Sequence, residues 1–367
     1  MNNNYKRQHS DYLLSLVVFG LIAFGLIMIY SVSKYYSLQI THDQTDKYYL
    51  IRQLSWAGVG LVAWLIVQAI DYRFWQKNTK IFFYATIILL ILPIIFGSNG
   101  RWVYIGPFNF QPAELAKLTL VIFLGGFFAH KSDDPKEAGK LLPYFIIFAV
   151  VLSVLMLLQK DLGTLSVMIA ISAVMFMIAG APKHHLLLSG GVGVFLVWLA
   201  IKVEPYRMER FLTFLNPDKN VLGASYHIRN ALIAIGSGGL WGLGFGQSKQ
   251  KYLYLPEAHT DSIFAIISEE LGLVRSLVIV LAFIFLALRG YRIAMRAPDT
   301  FSRLVAAGIT TWLFFQMFVN IAAMLSLLPL TGIPLPLVSY GGSSLLVLLV
   351  AIGILINISK SQINEKQ

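Results

Sequence analysis

An all-α polytopic membrane protein is the fold this sequence predicts: ten transmembrane helices, N-in and C-in, with a long extracytoplasmic segment between helices 7 and 8. Three observations carry it. First, 57% of the 367 residues are hydrophobic and only 13% are charged, with a mean hydropathy of +0.70. A soluble domain is about 25% charged, so most of this chain needs a hydrocarbon solvent. Second, apolar runs lie near 12–33, 51–70, 79–97, 112–130, 141–159, 162–181, 184–201, 262–288, 303–327 and 341–359. A span takes about 20 residues to cross roughly 30 Å. Third, the basic residues are sorted by side. With the N-terminus inside, fifteen of the 29 fall in short inner segments, among them Arg73, Lys140, Arg289, Arg292 and Arg296. Only Lys34, Lys47, Arg52, Arg101 and Lys160 fall in short outer ones. This threefold bias follows the positive-inside rule. It absorbs most of the net charge of +11 as a topology signal, and no nucleic-acid partner is expected.

Taken in order, Met1 to Asp11 is polar, with Lys6 and Arg7, and the apolar run after it is too long for a signal-peptide core. It reads as a retained first span. The fourth run contains Glu114 and Lys117. The turn-like Gln159-Lys160-Asp161-Leu162-Gly163 separates the fifth run from the sixth, and Ala181-Pro182-Lys183-His184-His185 separates the sixth from the seventh. Residues 1–367 form one integral membrane domain with no internal repeat, which weakens an inverted-repeat transporter reading. The absence of Cys excludes disulfides, thiolate catalysis and Cys-ligated metals.

Two outer segments stand out. Residues 202–261 are too long for a bare connector. Ser225 to Ile235 reads as a short helix, and the glycine-rich run Gly236 to Gly246 cannot be a regular one. Residues 328–342 are rich in Pro and Gly. Non-helical backbone near a bilayer is tolerated only against protein or water, so the two segments read as walls of an outward-facing cavity.

The candidate chemical centre is Tyr254-Leu255-Pro256-Glu257-Ala258-His259-Thr260-Asp261, at the mouth of the eighth span. Asp261 could be a helix N-cap, or a carboxylate facing a polar cavity that takes a proton from a hydroxyl. Glu257 and His259 could relay that proton, or hold a transition metal, although one His without ligand spacing is a weak metal signal. Glu269 and Glu270 lie about 12–14 Å deeper. They could form an ion pair with Arg275 as partner, or a hydrogen-bonded break near Gly272. Glu114 and Lys117, three apart, share a helix face. Either they neutralise each other, or Lys117 binds an anion in the cavity with Arg101, Lys160, Arg207 and Arg210. Gln159, Lys160 and Asp161 form a third polar cluster. Gln316 and Asn320 read as interhelical hydrogen bonders. The glycines near 341 fit a close backbone approach around Tyr340. Two classes remain: a membrane enzyme acting on an anionic lipid-linked substrate, or a transporter or flippase using the same groups.

The motifs Gly100-Arg-Trp-Val-Tyr-Ile-Gly106, Phe110-Gln-Pro-Ala-Glu-Leu-Ala-Lys117, Tyr254 to Ala265, Glu269-Glu-Leu-Gly272, Leu328 to Pro336 and Ser339-Tyr-Gly-Gly-Ser-Ser344 resemble those of the SEDS family (shape, elongation, division and sporulation), in the family's order and across essentially all ten spans. The resemblance implies a multi-pass protein of the bacterial cytoplasmic (inner) membrane, with its active site on the extracytoplasmic side. It implies a glycosyltransferase that polymerises lipid II, an undecaprenyl-pyrophosphate-linked disaccharide-pentapeptide. It also implies a class B penicillin-binding transpeptidase as partner, within the division or elongation machinery. The family's essential Asp falls on Asp261 and its motif Lys on Lys117. Ala258 matches the division (FtsW-type) form, because the elongation (RodA-type) form usually has Arg there. Departures from the pattern are Ala113 for Ser, Ser262 for Phe, and missing glycines in Asn320 to Pro329.

In that chemistry Asp261 would be the general base on the acceptor's 4-hydroxyl. Inversion at the α-linked donor carbon would give a β-linkage with no covalent intermediate. Lys117 and Arg101, with Arg210 or a divalent cation (magnesium or manganese) as further candidates, would stabilise the leaving pyrophosphate. Substrate contacts are expected at Arg101, Glu114, Lys160, Arg210, Glu257, His259, Ser339 and Tyr340. No metal ligands are firmly assigned, Glu257 and His259 being the candidates.

Overall fold

A computed structural model describes residues 10–97, 100–105, 108–132, 141–182, 205–215 and 224–361, with scattered positions between 184 and 202. The helices are α1 (Tyr12–Ile40), α2 (Tyr48–Ala69), α3 (Tyr72–Lys77), α4 (Thr79–Phe96), α5 (Pro112–Ser132), α6 (Leu141–Leu158), α7 (Leu162–Ile178), α8 (Pro205–Leu215), α9 (Ala224–Gly238), α10 (Ile263–Met295), α11 (Thr300–Met324) and α12 (Gly342–Ser359). Seven of them, α1, α2, α4, α5, α10, α11 and α12, are long and apolar enough to cross a membrane. Shorter apolar helices cover the fifth and sixth predicted runs. The seventh, 184–201, lies largely outside the described residues, as does most of 202–223.

Burial separates the centre from the periphery. α5, α11 and α12 are buried over most of their length, whereas α2 and α4 show apolar side chains such as Val62, Ile66, Ile88 and Ile95 at the surface. Apolar surface on this scale fits hydrocarbon and not water. α11 is the hub, packed on α5, α7, α10 and α12, and α12 lies along α2. Close approach needs small residues: a Cβ on Gly308 would press on Met175 and Val121, and one on Gly25 would meet the Val338 backbone. Local signals set the helix starts. Pro112 opens α5, where its missing N–H costs nothing. Asp161 caps α7, and Asp299 and Ser302 form a capping box on α11.

One unforeseen element is a two-stranded antiparallel hairpin, β1 (Val103–Ile105) and β2 (Phe108–Phe110), paired Val103↔Phe110, Tyr104↔Asn109 and Ile105↔Phe108. Its open end, where Val103 faces Phe110, sets Arg101 and Trp102 beside Gln111 at the start of α5.

α10 is broken at Gly272 (φ 79°, ψ 176°), a conformation open essentially to Gly alone. The glycine-rich run repairs the break. Amides of Leu243 and Gly244 donate to the carbonyls of Glu269 and Glu270 (2.9 and 3.0 Å), and those of Leu273 and Val274 donate to Gly239 and Leu240 (2.9 and 3.2 Å). A Cβ on Gly242 would overlap the Glu270 and Leu271 backbone, and one on Gly272 the backbone of Gly242 and Trp241. Glu270 pairs with Lys251 at 2.9 Å and accepts from Ser31 Oγ and the Gly246 amide. Glu269 accepts from Ser248 Oγ and the Lys249 amide. The partner expected at Arg275 is therefore replaced: Arg275 donates to the Trp241 carbonyl at 3.3 Å.

Candidate active site

At one end of the bundle the hairpin, the starts of α5 and α7, α8, α11, the Pro/Gly-rich stretch Leu328–Pro334 and the stretch before α10 enclose a cavity of roughly 640 Å³. Six of the ten sequence-predicted site residues share its wall: Asp261, Arg101, Glu114, Lys160, Arg210 and Glu257. Trp102, Gln111, Asp161, Thr164, Arg207 and Phe315 join them.

The cations are held by main-chain oxygens. Arg101 Nε donates to Gln159 O at 3.0 Å, and its Nη2 donates to Lys160 O. Arg210 Nη1 donates to Leu330 O at 2.8 Å and Arg207 Nη2 to Leu157 O at 3.2 Å. Lys160 sits in the left-handed region (φ 58°), where the chain turns from α6 into α7. Asp161 is fully engaged: it accepts from Thr164 N at 3.0 Å, Thr164 Oγ1 at 2.9 Å and Gln111 Nε2 at 3.1 Å. It orients neighbours and is not available as a base.

Asp261 differs. It precedes α10, whose N-cap is Ser262, so the capping reading fails. Its carboxylate has no hydrogen-bond partner among the described residues, although its main-chain carbonyl accepts from Asn320 at 2.7 Å. Burial, then the nearby Glu257 and Asp161 charges, push its carboxyl up to about 7 against the pull of Arg210 and Arg101. A base poised near neutrality combines ionisation with proton affinity. Opposite stands Gly332 (φ 72°), whose missing Cβ would come 3.3 Å from Asp261 Oδ2. Bare backbone there leaves room beside the carboxylate. Glu257, exposed, accepts from Thr260 Oγ1 at 2.7 Å.

Four predicted residues do not line the cavity. Lys117 is 1% exposed and pairs with Glu114 at 2.7 Å. It also donates to Gln316 Oε1 at 3.0 Å and lies 4.8 Å from the Trp312 ring centre. This corrects the anion-binding reading: an unpaired ammonium inside the bundle would be costly, and Glu114 neutralises it there. His259 turns into a cage of Tyr36, Tyr49 and Tyr340, with ring centres 5.0, 4.3 and 5.6 Å away. Burial lowers its pKa to about 4 against the pull of the nearby Glu257 charge, so it is neutral, and it does not line the cavity. Among the described residues, no three His, Asp or Glu side chains converge on a metal position. Ser339 Oγ is taken up by Thr260 O at 2.6 Å and the Leu335 amide at 2.8 Å, and Tyr340 packs on Tyr49. Both brace the Asp261 segment through its carbonyls, and neither lines the cavity. His227, not singled out in the sequence, bonds Ser262 Oγ at 2.6 Å and ties α9 to the same segment.

Comparison with known proteins places the chain in a family. The model of the cell cycle protein family that groups FtsW, RodA and SpoVE matches residues 11–364. This chain belongs to that family. It is 38% identical to stage V sporulation protein E of Bacillus subtilis (strain 168), over 97% of this chain and 98% of the relative. It is 39% identical to a probable peptidoglycan glycosyltransferase FtsW of Trichlorobacter lovleyi, over 95% and 93%. Among solved structures, a chain described under structural coordination of polymerization and crosslinking by a peptidoglycan synthase complex superposes with a TM-score of 0.76, at 27% identity over 95% of this chain and 97% of that one. The rod shape determining protein RodA of Thermus thermophilus gives 0.71, at 28% identity over 97% and 98%. Family membership and the RodA-like helical fold make this a multi-pass membrane protein.

Proposed function

We propose that this chain is an inverting peptidoglycan glycosyltransferase that polymerises lipid II into glycan strands, working in septal wall synthesis. The observation that carries the reading is the unpaired Asp261 carboxylate in a cavity it shares with Arg101, Lys160, Arg207 and Arg210. The names of the FtsW relatives support the reaction. Ala258 is fully buried, so the Arg of the elongation type would have no room, which supports the division assignment.

Asp261 takes the proton from the acceptor's 4-hydroxyl as that oxygen attacks the donor's anomeric carbon. The bond to the pyrophosphate oxygen breaks on the opposite face, and the leaving group departs as an anion. The guanidinium and ammonium groups of the cavity stabilise that charge as it develops. Glu114, fixed by Lys117, shapes the wall between them, and Lys117 acts through Glu114. Among the described residues no three acidic or imidazole side chains converge on one ion position; Glu257 at the cavity wall is the residue that would hold a magnesium or manganese ion together with pyrophosphate oxygens, and no step is routed through one. All ten runs cross the cytoplasmic membrane, N-in and C-in, which sets the cavity on the extracytoplasmic side; the bias of basic residues supports this orientation. A penicillin-binding transpeptidase is the expected partner, in keeping with the synthase complex of the structural relative.

The test is polymerisation by purified protein supplied with lipid II, alone and with its transpeptidase. Wild type makes glycan and Asp261→Asn does not. Normal polymerisation by Asp261→Asn would remove the base assignment.

A further inference from the structure

The segment carrying Asp261 is held by its carbonyl oxygens while its carboxylate is left alone. Tyr36 Oη donates to Leu255 O at 2.9 Å. The amide of Tyr340 donates to His259 O at 2.9 Å, Ser339 Oγ to Thr260 O at 2.6 Å and Asn320 Nδ2 to Asp261 O at 2.7 Å. The last three donors address three consecutive residues and end at the candidate base. A chain gripped on one edge at every residue has little freedom to rotate about φ and ψ. The direction of the Asp261 Cα–Cβ bond is then set by the grip and by no contact to the carboxylate itself.

Asn320 is the point where the grip meets the cavity roof. The same Nδ2 also donates to Ile333 O at 2.8 Å, next to Gly332, whose bare face stands 3.3 Å from Asp261 Oδ2 at the position a Cβ would take. An amide nitrogen has two hydrogens, and both are used. One group thus spaces the base's own backbone from the roof above its carboxylate. Asn320 is 1% exposed on α11, so the spacing is referred to the helix on which most of the bundle packs. Ser339 is anchored independently. Its Oγ accepts from Leu335 N at 2.8 Å, its carbonyl accepts from Gln53 Nε2 at 3.4 Å, and Gln53 Oε1 accepts from Gly341 N at 3.2 Å. That second line runs to α2.

We propose that Asn320 is a positioning residue for glycosyl transfer, which sets where the Asp261 carboxylate stands relative to the Gly332–Ile333 roof, with Ser339 as the second point of the same clamp. The inference rests on Asp261 being the base. Neither residue touches substrate. Their effect falls on the proton-transfer geometry and spares binding, which the cavity cations carry. A displacement of about 1 Å at a reacting group costs on the order of 10²-fold in rate.

The experiment measures kcat and KM for lipid II with purified full-length protein across a pH series, together with its thermal melting and elution profile. Asn320→Asp keeps the size of the side chain, removes both donated hydrogens and sets an oxygen against two carbonyls. Its kcat should fall about 100-fold while KM stays within about threefold, and the pH midpoint of kcat should move up, because the new carboxyl joins Glu257 and Asp161 in opposing ionisation of Asp261. Ser339→Ala should lower kcat about tenfold with the same split. The matched control is Asn357→Ala. Asn357 is a buried asparagine that joins Gln68 O and the Tyr72 amide at the other end of the bundle; its loss should lower the melting temperature and leave kcat unchanged. A folded Asn320→Asp with wild-type kcat and pH midpoint overturns the proposal, as does a loss of kcat matched by Asn357→Ala. Should Asn320→Asp fail to fold, Ser339→Ala decides, and an unchanged kcat there overturns it. An inactive Asp261→Asn beside an unaffected Asn320→Asp rejects the clamp alone. An active Asp261→Asn rejects the base assignment beneath it.

Discussion

Two acidic centres lie on either side of the same helix start, and they are built oppositely. Glu269 and Glu270 are saturated: hydroxyls, loop amides and the Lys251 ammonium occupy their oxygens. Asp261 has its backbone occupied, and its carboxylate meets no hydrogen-bond partner among the described residues. The difference separates structure from chemistry. A buried acid with every lone pair satisfied holds chain together, because removing a partner exposes a charge with nothing to meet it. An acid held only by its main chain keeps its oxygens for something that arrives.

Substitutions at the two centres should therefore fail in different ways. The largest effect is expected at Asp261→Asn, which should lower kcat by about 10³-fold and leave the melting temperature near wild type; glycan length and rate on gels check it. Lys251→Met reverses the pattern. It strands Glu270 and should cost about 3–5 kcal/mol of stability, read by denaturation in detergent. Gly272→Ala should cost about 1–3 kcal/mol for the backbone conformation alone, before the overlap with Gly242 is counted. A smaller effect is pH dependence. With Asp261 titrating near 7, kcat should rise about tenfold from about pH 6 to about pH 8 as the base ionises. Smallest, Glu257→Gln removes a charge that raises the Asp261 carboxyl, so the midpoint should shift to lower pH.

Much of this was legible in the residues. The apolar runs mark the helices, and Asp261 is conspicuous as a charge before a span. The deep Glu pair beside Gly272 announces a broken helix, and Lys117 beside Glu114 allows the pairing that the structure contains. What escaped has a common cause, which is contact between distant stretches of chain. Lys251 reaches Glu270 through a non-helical loop with no periodic pattern. The tyrosines that enclose His259 come from α1, α2 and the stretch before α12. Ser339 and Asn320 look like an ordinary loop serine and a packing amide until the carbonyls they hold are seen. The hairpin at 103–110 is too short for alternation to reveal.

The break at Gly272 also has a mechanical consequence. The stretch 273–295 alone has the length of an ordinary span, about 20 residues, while Ile263 to Leu271 is stitched to the glycine-rich loop. One helix thus serves as two parts, a rod anchored in lipid and a bracket under the site. The joint is a glycine about three turns below Asp261, and the same loop bonds cross it on both sides, to Glu269 and Glu270 above and from Leu273 and Val274 below. Because both parts are tied to one loop, a pull on the rod is shared with the glycine-rich run and does not fall on the bracket alone.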